Sequence, residues 1–282
     1  INMINQVLSI PKKKNNVFSF LMSAYEYIQK ASKVMCIGRN YAAHIKELNN
    51  ATPKQPFFFL KPTSSIITPL TSTKPSSKTI TQDILKTGSL VTSTPTVLHK
   101  GNPSPIYLPK GIKTHHEVEI ALIMKHPLSN IPLEHAENLD LFKCIKGVSI
   151  SLDLTARNLQ DEAKRKGLPW SIGKGFDTFC PTGPLIPIEN LKRAGSDFQK
   201  DFKFKMFVNW ELRQDGDSGL MLTSFSKILQ HISNVMVLEE DDIVLTGTPS
   251  GVGELKPGDK CKLEMSFAGE KLSEVEFVCE ER

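Results

Sequence analysis

At 282 residues, with hydrophobic (39%) and charged (23%) fractions typical of soluble globular proteins, the chain can bury a large core as one big domain or two small ones. A formal net charge of +5, without an arginine-rich run or many aromatics, argues for an anionic small molecule at least as well as for nucleic acid, and no nucleic-acid partner is expected. Five widely spaced cysteines without a C-x-x-C exclude a disulfide framework or zinc knuckle, and the longest apolar runs, such as Ile120 to Met124, are too short for a membrane span.

Residues 1–33 read as an N-terminal arm followed by a short lead-in. Lys12, Lys13 and Lys14, without any acidic residue before Met22, fit a mitochondrial presequence or an appended arm equally well. The first implies a mitochondrial location and the second leaves a cytoplasmic one, and Met22 is read as the natural start.

Val34 to Ile37 predicts a short buried strand that stops at Gly38. Asn40 is then expected to cap a helix over Tyr41 to Leu48, which ends in Asn49-Asn50. His44 and Glu47 lie three apart on one face of that helix, where a carboxylate can orient an imidazole. They are either a general-base pair or an ordinary surface pair. Phe57 to Leu60 reads as a buried strand delivering Lys61 to a cleft. From Thr63 to about Pro109 serine, threonine and proline dominate and Asp83 is the only acid, which predicts a surface excursion between two core strands.

Thr114 to Ile123 is predicted as one strand, with Val118, Ile120 and Leu122 facing one way and Glu117 and Glu119 the other. Two carboxylates about 7 Å apart repel unless something positive sits between them. A metal ion with a third ligand satisfies that condition, and a solvated acidic face is the alternative. Ile145 to Asp153 alternates again and places Asp153 at the polar-face end of a strand. A helix from Thr155 to Lys166 follows, stopped by Gly167 and Pro169, with Arg157, Gln160 and Lys164 on one face. Arg157 is a solvated helix charge unless Asp153 is a ligand.

Lys174 stands between Gly173 and Gly175, where the backbone can approach a ligand closely. Phe204 to Val208 and Glu211 to Arg213 read as hairpin strands, and Ser224 to Asn234 as a helix. Ile243 to Leu245 runs into Thr246-Gly247-Thr248-Pro249-Ser250-Gly251-Val252-Gly253, a loop that offers N–H groups and hydroxyls to an anion without a P-loop ending. The C-terminal part is β-rich, with a turn at Lys256 to Asp259.

Six motifs occur in order: Cys36-Ile-Gly-Arg-Asn-Tyr-Ala-Ala-His44, Phe-Leu-Lys61-Pro, His116-Glu-Val-Glu119, Asp153-Leu-Thr-Ala-Arg157, Lys174-Gly-Phe-Asp and Thr246-Gly-Thr-Pro-Ser-Gly-Val-Gly. Together they resemble the fumarylacetoacetate hydrolase family from about Val34 to the C-terminus, above all its mitochondrial acylpyruvase and oxaloacetate tautomerase or decarboxylase branch in fungal form. The resemblance implies one catalytic domain over residues 34–282, with the excursion at about 63–109 inserted in it. Its fold class would be α+β and β-rich, a mixed β-roll with flanking helices, assembled as a homodimer.

It further implies Mg²⁺, with Mn²⁺ or Ca²⁺ able to substitute, held by Glu117, Glu119 and Asp153. His44, Glu47 and Lys174 would be catalytic, and Arg39, Lys61, Arg157, Gln160 and Thr248 would contact substrate. Asn209-Trp210 stands where the family usually has Asn-Gly, and Glu240-Asp241 where it has Pro-Gly.

Three carboxylates without a thiolate form a hard oxygen site suited to Mg²⁺ or Mn²⁺. The expected function is turnover of small 2-oxo acids through an enolate stabilised by that cation. Tautomerisation or decarboxylation of oxaloacetate and C–C hydrolysis of an acylpyruvate share that intermediate. The alternatives are a diketo-acid hydrolase of another pathway and, from a different class, a non-catalytic binding protein in which the carboxylates hold a structural Ca²⁺.

Overall fold

The structure, a computed structural model, describes residues 24–70 and 100–282. The expectations for the first residues of the N-terminal arm and for positions 71–99 of the Ser/Thr/Pro-rich stretch lie outside the described residues. Strands dominate and the helices are few and short, so the α+β, β-rich class expected from the sequence is the one adopted.

A six-stranded sheet runs in the order Ile186–Pro187, Ile145–Leu152, Val118–Met124, Ile243–Leu245, Val34–Gly38, Phe57–Lys61. Only the Val34–Gly38 and Ile243–Leu245 pair is parallel, and the other neighbours are antiparallel. A second sheet of five strands carries Glu211–Asp217 at one edge and Ile106–Leu108 at the other. Between them lie Phe202–Val208, Lys260–Phe267 and Glu270–Glu281. Its alternation is clean: Phe202, Phe204, Met206, Leu263, Met265 and Phe267 are buried, while the residues between them are partly or fully exposed. That inner face packs with Val118, Ile120 and Leu122 of the first sheet in one core.

The first sheet is covered on its other face as well. Ala121 and Ile123, which alternate with Val118, Ile120 and Leu122, pack with Tyr27, Ile28, Val34 and Leu245. Glu119 shares their face, so the solvated acidic face allowed by the sequence does not exist. The expected continuous strand is also broken: Thr114–His116 pairs in a small separate sheet, and Glu117 links it to Val118–Met124.

Most predicted elements fall where their residues place them. Ser224 caps the Phe225–Ser233 helix by accepting from Lys227 N–H, and Phe225, Ile228, Leu229 and Ile232 form its buried stripe. Gly167 ends the Arg157–Lys166 helix in the left-handed conformation, at φ +65°. The hairpin turn at Asn209-Trp210 has both residues at positive φ, the geometry for which the family usually supplies a glycine.

Other readings change. Asn40 caps nothing: the Ala42–Glu47 helix follows Tyr41, and the Asn40 amide instead donates to Thr246 O (2.8 Å) and Thr223 O (3.1 Å). Phe57–Leu60 is half-buried rather than buried, and only Lys61 at its end is fully enclosed. The Thr63–Pro109 stretch is anchored at both flanks, where Ile66–Ile67 pairs with Cys180–Pro181 and Ile106–Leu108 pairs with the C-terminal strand.

Candidate metal centre and pocket

Three strand ends deliver the carboxylates. Glu117 sits at the break before Val118–Met124, Glu119 one residue into that strand, and Asp153 just past Ile145–Leu152, its antiparallel neighbour. Asp153 N–H donates to Glu117 O (2.8 Å), which locks the two ends together. One oxygen from each carboxylate lies within 4.8 Å of the other two, and all three residues are buried.

The cations around them are distributed unevenly. Lys174 Nζ reaches Asp153 Oδ2 (2.6 Å) and Glu117 Oε2 (2.8 Å), while Arg157 pairs with the other oxygen of Glu117. Lys61 Nζ stands 2.8 Å from Asp153 Oδ1. Among the described residues no cationic side chain is bonded to Glu119; its Oε2 accepts the Gly247 N–H at 2.6 Å.

The protonation tendencies follow from that asymmetry. Burial alone would raise Glu117, but Lys174 and Arg157 reverse it and hold the carboxyl well below the usual range. Burial raises Glu119 too, and repulsion from Asp153 and Glu117 pushes it well above. Burial lowers Lys174, yet the two carboxylates it touches leave it above its ordinary value. Glu119 is thus the member of the triad that, among the described residues, lacks a positive partner. A divalent cation among the three oxygens supplies one, and an all-oxygen donor set fits Mg²⁺ or Mn²⁺.

All but two of the sequence candidates line one pocket: Arg39, His44, Glu117, Glu119, Asp153, Arg157, Gln160, Lys174 and Thr248. His44 faces it from the Ala42–Glu47 helix, and its Nδ1 lies 3.3 Å from Glu47 Oε2. Glu47 stands behind His44, and its other oxygen accepts the Gly251 N–H at 2.9 Å. Arg157 also donates to Gln160 Oε1 (2.6 Å) and, from Nε, to His115 Nδ1 (3.4 Å). Arg39 ties the two flanks of the His44 helix by donating to Asn50 Oδ1 and Ala51 O.

Lys61 is the other candidate outside the lining. It is 1% exposed, and its Nζ donates to Leu154 O and Lys174 O beside the Asp153 pair. It braces the site from beneath. The glycines flanking Lys174 also act differently from the sequence reading. Ser171–Lys174 is a short helix, and a Cβ on Gly173 would lie 3.1 Å from the Gln160 side chain. Gly173 therefore lets two helices approach, so that Lys174 projects into the pocket.

The Thr246–Gly253 loop does offer its N–H groups to anions, but to the protein's own carboxylates, Glu119 and Glu47. Phe59, Lys164 and Trp170 line the pocket without having been singled out as site residues. Trp170 meets Phe57 edge to face (5.6 Å) and Phe59 at a tilt (5.4 Å), and Lys164 Nζ lies 5.4 Å from the indole. The helical spacing of Arg157, Gln160 and Lys164 was the available signal for Lys164, whereas none marked Trp170.

A family model described as fumarylacetoacetate (FAA) hydrolase C-terminal matches residues 33–277. Oxaloacetate tautomerase FMP41, mitochondrial, of Saccharomyces cerevisiae is 51% identical over 261 residues, which is 92% of this chain and 96% of that protein. The crystal structure of yeast ynq8, a fumarylacetoacetate hydrolase family protein, superposes with a TM-score of 0.75 at 48% identity, covering 92% of this chain and 96% of that one. A fumarylpyruvate hydrolase from Pseudomonas aeruginosa, in complex with Mn²⁺ and pyruvate, gives 0.66 at 27% identity, covering 89% and 91%. With a matched model over most of its length and a relative identical at half the compared positions, the chain belongs to the fumarylacetoacetate hydrolase family.

Proposed function

We propose that this protein is a mitochondrial oxaloacetate keto–enol tautomerase that uses Mg²⁺ or Mn²⁺ held by Glu117, Glu119 and Asp153. The observation that carries the reading is the convergence of three buried carboxylates under a pocket lined by Arg157, Lys174 and His44. The yeast relative named a mitochondrial oxaloacetate tautomerase supports both the substrate and the location. Residues 34–282 are taken as its single catalytic domain. A homodimer is part of the proposal, supported by exposed Leu212, Leu220 and Leu222 on and beside the edge strand Glu211–Asp217.

A bound divalent cation would polarise the 2-oxo group of the substrate and so acidify its C3 protons. The chain's own residues do the rest. Arg157 and Lys174 place positive charge beside the oxygen that becomes negative as a proton leaves C3. Gln160, whose Oε1 is taken by Arg157, offers its amide nitrogen as a donor to the substrate. Arg39 and Thr248 complete the lining that selects a small acid. Because its Nδ1 is engaged by Glu47, His44 takes the C3 proton through Nε2 and passes it to the former 2-oxo oxygen to give the enol, and the reverse transfer restores the keto form. Lys61, enclosed beneath Asp153, is assigned to holding that carboxylate.

A second reading, C–C hydrolysis of an acylpyruvate, is favoured by the likeness to the fumarylpyruvate hydrolase. There His44 would take its proton from water. Product analysis separates the two, with purified protein, Mg²⁺ and each substrate. Decay of the enol band of oxaloacetate without pyruvate supports tautomerisation, pyruvate from oxaloacetate shows decarboxylation, and pyruvate from an acylpyruvate shows hydrolysis. No turnover of either substrate, with a melting temperature that falls on adding EDTA, would replace all three with a Ca²⁺-stabilised binding protein.

A further inference from the structure

The strand that carries Glu119 is supported differently along its length. From Ile123 to Ala121 it pairs with Ile243–Leu245, and Thr246 N–H still reaches Ile120 O at 3.1 Å. Beyond that point the neighbouring strand has turned into the Thr246–Gly253 loop, and two side chains take over its role at Val118, the residue between the two glutamates. Gln214 Oε1 accepts from Val118 N–H at 3.1 Å, and the Thr248 hydroxyl donates to Val118 O at 2.8 Å.

Gln214 Nε2 closes the ring by donating to Thr248 Oγ1 (2.8 Å) and, with its second hydrogen, to Pro249 O (2.9 Å). His116 Nδ1 lies 2.9 Å from the same Gln214 oxygen and donates to it. Gln214 is 1% exposed, and both its hydrogens and its oxygen are in use. The orientation of the amide is dictated: Val118 O and Pro249 O can only accept, so the nitrogen must face the loop and the oxygen must face Val118 N–H.

We propose that Gln214 is a positioning residue for the metal centre, setting through Val118 and the Thr248–Pro249 turn the directions in which Glu117 and Glu119 present their carboxylates. The inference rests on the metal reading given under Proposed function. Glu117 and Glu119 flank Val118, so a rotation of the peptides on either side of it moves both ligands together. The loop that Gln214 grips also brings Gly247 N–H to Glu119. That loop approaches the Gln214 strand closely, since a Cβ on Gly251 would lie 1.9 Å from Arg213 O. A neutral amide serves here because it supplies two donors and an acceptor without adding a fourth negative charge beside the triad.

The test is Mn²⁺ binding without substrate, by calorimetry, for the wild type, Gln214→Leu, Thr248→Val and Thr248→Ser, well below each melting temperature. Gln214→Leu and Thr248→Val are each expected to weaken Mn²⁺ binding by about 10–100-fold, the usual loss when a group orienting a ligand is removed. Thr248→Ser, which keeps the hydroxyl, should bind like the wild type. The double variant should be little weaker than either single one, because both cut the same ring.

Wild-type Mn²⁺ affinity in a folded Gln214→Leu, or a lowered melting temperature with unchanged affinity, overturns the proposal. Should Gln214→Leu not fold, the Thr248 pair decides: equal affinity for Val and Ser at that position is equally fatal. A wild-type protein that binds no Mn²⁺ removes the metal reading itself, a result distinct from variants that match a binding wild type.

Discussion

Lys61 illustrates how one residue's environment can reverse the role its sequence neighbours imply. A lysine leaving an apolar run was expected to face the cleft, yet its ammonium is enclosed against Asp153 and two carbonyls, at positions 93 and 113 residues further along the chain. Lys61→Met leaves a buried carboxylate short of a cation, so it should cost about 3–5 kcal/mol of stability, read by urea unfolding. A variant acting only on substrate would change KM and leave the unfolding midpoint alone. His115 gives a second residue-scale expectation. Burial first, and then Arg157, bring its imidazole from 6.5 down to about 4, so it remains neutral beneath the guanidinium. Between those values the unfolded chain takes up a proton that the folded chain refuses, so stability declines as pH falls from about 6.5 towards 4. His115→Gln should flatten that limb in a series of thermal melts. Period two put Glu117 and Glu119 on one side but left a metal or a solvated face open, and Asp153 was placed only at a strand end; the family resemblance was what joined the three. The roles of Lys61 and His115 were not legible, because their environments are made by residues distant in sequence.

At the scale of elements, alternation and capping carried most of the information. The Phe202–Val208 strand, expected over Phe204 to Val208, and the Ser224-capped helix lie where their patterns predict, since each pattern is local. The break at Glu117 was hidden because hydrophobic alternation continues across it, and only the end of the neighbouring strand at Leu245 reveals where pairing stops. The Thr246–Gly253 loop was recognisable as a set of donors, but not its targets, Glu119 in the pocket lining and Glu47 behind His44. Gly251, at φ +96° and hard against Arg213, tests the second of these links. Gly251→Ala imposes backbone strain of about 1–3 kcal/mol and must push the loop from Arg213. The Gly251 N–H then leaves Glu47, so the variant should melt earlier and lose kcat because His44 is no longer held in register.

For the whole molecule, the family motifs predicted a β-rich fold, whereas strand order depends on pairings that local patterns do not encode. The two sheets close around one core, and the buried carboxylate triad sits where the first sheet's central strands end. A cation bound there, as proposed, would act on the stability of the entire fold. At a free Mn²⁺ concentration a thousand times its Kd, the folded state should gain about 4 kcal/mol, seen as a higher melting temperature that EDTA reverses. Glu119→Gln removes a ligand charge while resembling the protonated carboxyl that burial favours. Its metal-free melting temperature should therefore stay near that of the wild type, with the Mn²⁺ response abolished.

The five cysteines, all free and all buried, have a practical consequence. Burial pushes the thiols of Cys36, Cys144 and Cys180 up, and the hydrogen bond with Cys279, then burial, does the same for Cys261, which makes them poor nucleophiles toward maleimide dyes. A single cysteine introduced at exposed Lys46, on the helix that carries His44, would then be the preferred attachment point for a fluorophore. Emission from that probe would follow the helix as substrate arrives, in otherwise unaltered protein.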